Sequence, residues 1–351
     1  MLTLGATFSF TSITQSATNG LERPRLLPIN VFELRRNIYW IPSLAVDAAH
    51  RIWYIGRPAF CHSPHDTIIG WRGPGDNTEI SVSNSDPRTC PAALTLNKNK
   101  DVWFTDEGTQ KIGKVSLHGR ITEYPVQSPH GGTPEAITSN KDGNVWFVQS
   151  SIGASEVPSW TNTYGIRDGI GRVEHGGNVK IYILPKSNTC CNRGTTGISI
   201  GPDNNIWFTE MGANVIGRMT PRGKLRQYPI PTKDSEPLGI VSDKHAYLWF
   251  TENKANKIGR IGVDGQISEY NVPTPNSRPA SIAVSRDGSV WFTEAQSGKL
   301  ARLTNSGKIN EWQIPRFPRN TEGLSALALS TDGSIYVAVG NKIRQYTITP
   351  R

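Results

Sequence analysis

The chain has 351 residues, 36% of them hydrophobic, and a formal net charge of +9. No stretch approaches the roughly 18 apolar residues that a membrane helix needs, so a transmembrane segment is excluded at this level. The cations are spread through short Lys-Ile-Gly-Arg tracts, which reads as a solvated basic rim and argues against a nucleic-acid face.

Residues 1–21 are rich in Ser and Thr and lack a basic start. They read as a disordered leader or a weak export signal, which tilts the expected compartment toward secreted or periplasmic. Residues 22–351 then carry one repeated phrase. It is an aliphatic residue followed by aromatics, at Ile52-Trp53-Tyr54, Val102-Trp103-Phe104, Val145-Trp146-Phe147, Ile206-Trp207-Phe208, Leu248-Trp249-Phe250, Val290-Trp291-Phe292 and Ile335-Tyr336. The spacing is close to about 42 residues, the length of a four-stranded propeller blade. Each unit cannot bury its own faces and must stack on its neighbours, so the chain is predicted to be all-β, a single seven-bladed β-propeller.

The unit from Ser235 to Pro275 shows the pattern best. Ile240-Val241 opens a strand, Leu248–Thr251 is the second, Ile258–Ile261 the third and Ile267–Tyr270 the fourth, with Asp264-Gly265 as a hairpin turn. A glycine recurs in the third strand, at Gly113, Gly217 and Gly259, where an aromatic of the preceding strand is expected to pack. The last unit ends at Lys342–Tyr346 without room for a fourth strand. Val31-Phe32-Glu33-Leu34 is the expected donor, closing the ring by pairing the N- and C-terminal segments and removing exposed edges.

Two units carry insertions after the second strand. One runs from Arg57 to about Asp76 with Cys61, His62, His65 and Trp71; the other runs from about Ser151 to Asp168 with Trp160 and Tyr164. Long loops on one propeller face shape binding surfaces. The chain has four cysteines, Cys61, Cys90, Cys190 and Cys191, with no C-x-x-C zinc spacing. Cys61 and Cys90 fall in connections that open on the same face, so a disulfide between them is expected in an oxidising compartment.

Trp249-Phe250-Thr251-Glu252, Asn256–Arg260, Ile267–Tyr270 and Pro273–Asn276 resemble the virginiamycin B lyase (streptogramin lyase) family over roughly Val31 to Tyr346. That family opens the ester ring of type B streptogramin antibiotics by elimination with magnesium, an antibiotic-resistance activity. The resemblance therefore implies a carbon–oxygen lyase, a magnesium cofactor and a defined site. The site comprises a histidine after the proline that opens blade six, a Glu-Pro-His-Gly phrase opening blade seven, a glutamate ending that blade's second strand, and a tryptophan following the Trp-Phe-Thr-Glu of blade six. Here those places hold Ala280, Gly323-Leu324-Ser325-Ala326, Gly340 and Ala295, with Glu322 one residue from the metal position. Alanine, glycine and serine do not replace an imidazole base near neutral pH.

Something else must then serve any activity. The residues opening the innermost strands are expected to be Ser43, Ala92, Glu135, Thr196, Leu238, Ala280 and Ser325, of which only Glu135 is charged. Glu135 with His130 forms the candidate catalytic pair, for a relocated metal-assisted lyase or hydrolase. The main expectation is a binding module that has lost the family's site. It would take a small molecule, a glycan or a protein on the loop-rich face, with Trp71, Glu107, Trp160, Tyr164 and Glu322 as contacts. A protein-binding scaffold using the other face is the third reading.

Overall fold

The computed structural model describes residues 24–349 apart from 35–37, 59–66, 74–75, 83–85, 87, 117, 129–130, 151–167, 175, 186–193, 244 and 316–323. It contains seven four-stranded antiparallel sheets. Blade five is typical, with strands Pro237–Ser242, Tyr247–Glu252, Lys257–Gly262 and Ile267–Asn271 in sequence order across the sheet. The first strands of neighbouring blades lie beside one another all the way round, so they form the inner wall of a closed ring.

Closure follows the expected route. Strand Leu26–Glu33 pairs with the C-terminal strand Lys342–Ile348, in a register that places Val31 opposite Arg344 and Glu33 opposite Lys342. Blade seven is thus assembled from both ends of the chain.

The core is distributed over the interfaces between blades. In the second strand, successive side chains point to opposite faces of the sheet. The tryptophan of one blade therefore meets the phenylalanine of the next: Trp207, Ile216 and Tyr228 of blade four pack on Ile240, Leu248 and Phe250 of blade five. Trp207 and Phe250 are fully buried, and each contributes roughly 2–3 kcal/mol of transfer free energy. The third-strand glycines make room for these rings. A Cβ added at Gly259 would stand 2.1 Å from the Phe250 ring, and one at Gly113 would stand 1.9 Å from Phe104. Blade six has Ala301 in this place, facing Phe292.

Trp53, Trp207 and Trp249 are also held by polar partners, each donating its indole N–H to an aspartate of the preceding turn. In blade four, Trp207 Nε1 donates to Asp203 at 3.0 Å, Arg218 pairs with the same carboxylate at 2.6 Å, and the Arg218 guanidinium lies 5.4 Å from the indole centroid. Trp207 stacks on Tyr228 of the fourth strand at 5.6 Å. The cations of the third strands are thus largely spent inside the blades.

Two sequence expectations need correction. Trp71 is not in an insertion; it lies in the third strand of blade one, Ile68–Gly73, is 5% exposed and packs 4.6 Å from Trp53. The insertion is shorter than expected, and Trp71 belongs to the interface between blades one and two. In blade one, Leu44 faces Tyr54 as Leu94 faces Phe104 in blade two, so the counterpart of Ala92 is Pro42 and not Ser43.

Candidate functional site

The antiparallel register fixes which groups share a face. Pro279 is paired with Glu294 and Leu324 with Val339, so the start of each first strand and the end of each second strand lie at the same end of the ring. This face holds Pro42, Ala92, Glu135, Thr196, Leu238, Ala280 and Ser325, all half-buried.

In every blade but the first, a bulge or irregularity in the pairing follows this opening, and it is here that neighbouring blades are tied together. Thr196 Oγ1 donates to the Pro237 carbonyl at 3.1 Å, and Ser325 Oγ donates to the Ile41 carbonyl at 2.8 Å. Two of the seven openings are therefore occupied in holding the ring together. The Glu135 carbonyl accepts from Thr105 in the same way. Its candidate partner His130 lies outside the described residues, as do Trp160, Tyr164, Glu322, Cys61, His62, His65, Cys190 and Cys191.

Around this opening runs a tier of second-strand ends: Asp106, Gln149, Glu210, Glu252 and Glu294. All five are buried. Asp106 accepts from the backbone of Cys90 at 2.7 Å and from Gly108 and Thr109, and so works as a turn cap. Glu210 accepts from Gln227 at 2.8 and 3.1 Å. Burial pushes the Glu210 carboxyl up to about 7. Burial, reinforced by the Glu269 carboxylate, pushes Glu252 up to about 8. Glu294 is raised to about 7, by burial first and by Glu311. Neither oxygen of Glu252 finds a hydrogen-bond partner. Near neutral pH Glu210, Glu252 and Glu294 are thus protonated or half-protonated acids in a buried layer beneath the face.

A polar feature that reaches the surface lies between blades one and two. Glu107 pairs with Arg57 at 3.5 Å, with side chains 29% and 12% exposed. Arg57 also donates to Cys90 Sγ, and its guanidinium lies 5.3 Å from the Trp40 ring centroid. Cys90 is disulfide-bonded. Backbone bonds between Trp40 and Arg57, at 2.9 and 3.2 Å, fix this connection to the end of the second strand. Burial raises the Glu107 carboxyl and depresses the Arg57 guanidinium, each opposed by the charge of the other.

Tyr39 and Trp40 are 46% and 38% exposed, the two large aromatics presented beside this ion pair. Sequence reasoning missed both. The signal was available: Tyr39 and Trp40 follow Ile38 in a connection between blades, outside the repeated phrase that buries its aromatics.

The described residues that the resemblance sets at the family's catalytic places do not by themselves fit a magnesium ion. Ala280, Ala295, Ser325 and Gly340 offer neither carboxylate nor imidazole. Among the described residues, no group of three or more His, Cys, Asp or Glu is arranged to hold a metal.

Comparison with known proteins agrees with the architecture. No family model matches the chain. The curated virginiamycin B lyase of Nocardia farcinica is 25% identical over 180 residues, 44% of this chain and 61% of that protein. The chain spans less than two thirds of the curated relatives it matches. A solved streptogramin B lyase is 31% identical with a TM-score of 0.78, covering 93% of this chain and 98% of that one. A catalytically inactive histidine-to-alanine variant of the Staphylococcus aureus virginiamycin B lyase, solved with quinupristin, is 29% identical with a TM-score of 0.77, covering 93% of this chain and 100% of that one. The similarity extends around the whole ring, and on that ground this chain belongs to the virginiamycin B lyase (streptogramin lyase) family.

Proposed function

We propose that this protein is a binding member of its family, taking a small molecule on the face that carries Trp40, Arg57, Glu107 and Glu135 without performing elimination at the family's usual place. The observation that carries this reading is the set Ala280, Ala295, Ser325 and Gly340. Elimination needs a base for a carbon-bound proton and a positive group for the developing oxyanion. Methyl groups, a bare glycine and a serine hydroxyl committed to the Ile41 carbonyl supply neither.

The Staphylococcus relative supports the separation of binding from chemistry, since its inactive histidine-to-alanine form was solved with quinupristin. Here the resemblance sets Ala280 at a family histidine place. Trp40 offers an apolar surface and Arg57–Glu107 a fixed charge pair beside it, the combination that ligand sites use for contact area and orientation.

The test is calorimetric titration of quinupristin with and without magnesium, followed by chromatography and mass spectrometry. Binding is expected without ring opening, and Trp40→Ala weakens it roughly tenfold or more. Elimination would give a product of unchanged mass and new retention, whereas hydrolysis would add one water. Magnesium-dependent appearance of the isomeric product overturns the proposal.

A further inference from the structure

The opposite face of the ring carries a different charge pattern. It is built from the turns between first and second strands and between third and fourth strands, which meet at this end, as where Val263 N donates to the Ala246 carbonyl at 3.3 Å. On blades two to four these turns present Lys98, Lys100, Arg120, Lys141, Arg222 and Lys224, all exposed. None of the six is in an ion pair among the described residues, whereas the acids around them are taken. Asp101 holds Lys114 at 2.8 Å, Asp203 holds Arg218 at 2.6 Å, and Glu174 holds Arg172. Asp142 is the remaining acid of these turns among the described residues, and it accepts from Asn140.

The turns are contiguous. A Cβ at Gly143 of blade three would stand 3.2 Å from the Lys98 side chain of blade two. The outer turns of blades three and four lie over the preceding blade, Gly177 against Tyr124 and Gly223 against Tyr182. The positive surface continues down the side of the ring through Lys180 and Arg226, which lie 4.9 and 5.6 Å from the rings of Tyr182 and Tyr228. Blades five to seven differ. There Arg286 and Lys308 are balanced by exposed Asp264 and Asp332.

We propose that this arc on blades two to four is a binding surface for a linear acidic polysaccharide. The form of the arc favours that partner. Cations on the turns and on the outer strands face different directions, so a flat bilayer cannot touch both rows while a flexible chain can wrap from one to the other. The exposed large hydrophobics of the described residues are Leu27, Ile29, Val31, Tyr39, Trp40 and Tyr247, none of them on blades two to four. The arc therefore has nothing to insert into lipid and no ring on which unpaired bases would stack. Polar turn residues such as Asn99 and Asn178 suit sugar hydroxyls instead.

The experiment uses the full chain and two double variants matched in charge, Arg222→Gln/Lys224→Gln on the arc and Arg286→Gln/Lys308→Gln outside it. Affinity for a heparin oligosaccharide is measured across a salt series, beside duplex DNA and phosphatidylglycerol vesicles. The arc variant is expected to lose roughly tenfold in heparin affinity and to show a shallower salt dependence, while the control pair changes little. Equal losses in both variants overturn the arc. Tighter binding of DNA or of vesicles than of heparin overturns the choice of partner. No salt-sensitive binding to any of the three overturns the surface altogether.

Discussion

Replacing Glu252 by glutamine should stabilise the protein, and by an amount that grows with pH. Glu252 is fully buried, neither of its oxygens is hydrogen-bonded, and its carboxyl is raised from 4.5 to about 8. Burial is the first cause. The second is Glu269, which stays ionised because Lys257 Nζ at 2.9 Å and Thr232 N and Oγ1 at 3.0 and 2.8 Å satisfy it. Between pH 4.5 and 8 the unfolded chain gives up this proton and the folded chain keeps it. Folding then takes up a proton, so stability falls as pH rises through that window and levels off above the folded value. Each unit costs about 1.4 kcal/mol, so the penalty at pH 7 is on the order of 3 kcal/mol and at pH 5 below about 1 kcal/mol. Glutamine removes the titration while keeping the shape. Urea unfolding of wild type and Glu252→Gln at pH 5, 6, 7 and 8 measures the difference directly. The curves should converge near pH 5 and separate toward pH 8, with the variant the more stable. A difference independent of pH, or one of opposite sign, refutes the reasoning.

Two further outcomes follow from the packing. Gly259→Val places two methyl groups within the space of the Phe250 ring, and the loss should be about 2–4 kcal/mol, seen as a lower melting temperature with the fold retained. Asp203→Ala leaves Trp207 Nε1 and the Arg218 guanidinium without their shared acceptor beneath a buried indole. It should cost about 2–3 kcal/mol by denaturant titration, more than Asp264→Ala at an exposed turn, which should stay below about 1 kcal/mol.

The ring was legible because its two determinants are local. A tryptophan–phenylalanine pair needs one period-two strand, and the glycine beneath the phenylalanine is visible in the third strand. The closing strand was legible too, since Lys342–Tyr346 left one sheet a strand short. Blade one was harder to place. Its insertion hid the third strand, although Ile69-Gly70 repeats the Ile-Gly pair of the third strands of blades two to five with Trp71 where they carry Arg or Lys, and the glycine beneath Tyr54 was the sign that Trp71 belongs to the core. The one-residue offset that put Ser43 in place of Pro42 arose because the opening of blade one lacks the Ile41-to-proline equivalence that marks Pro91, Pro237 and Pro279. The site was less legible than the fold. The resemblance set Ala280 and Ser325 where the family carries histidines, but the neutral state of Glu252 and the presentation of Trp40 depend on which blades touch, and spacing along the chain carries neither.

Because blade seven joins Leu26–Glu33 to Lys342–Ile348, the ribosome makes one border of that sheet before the six other blades and the other only after them. Six blades can stack as they emerge, but the circle stays an open arc with two raw sheet borders until Lys342–Ile348 has been made. Leu26–Glu33 must wait for that partner while the other blades are made, and Leu27, Ile29 and Val31 are the apolar side chains it carries through that wait.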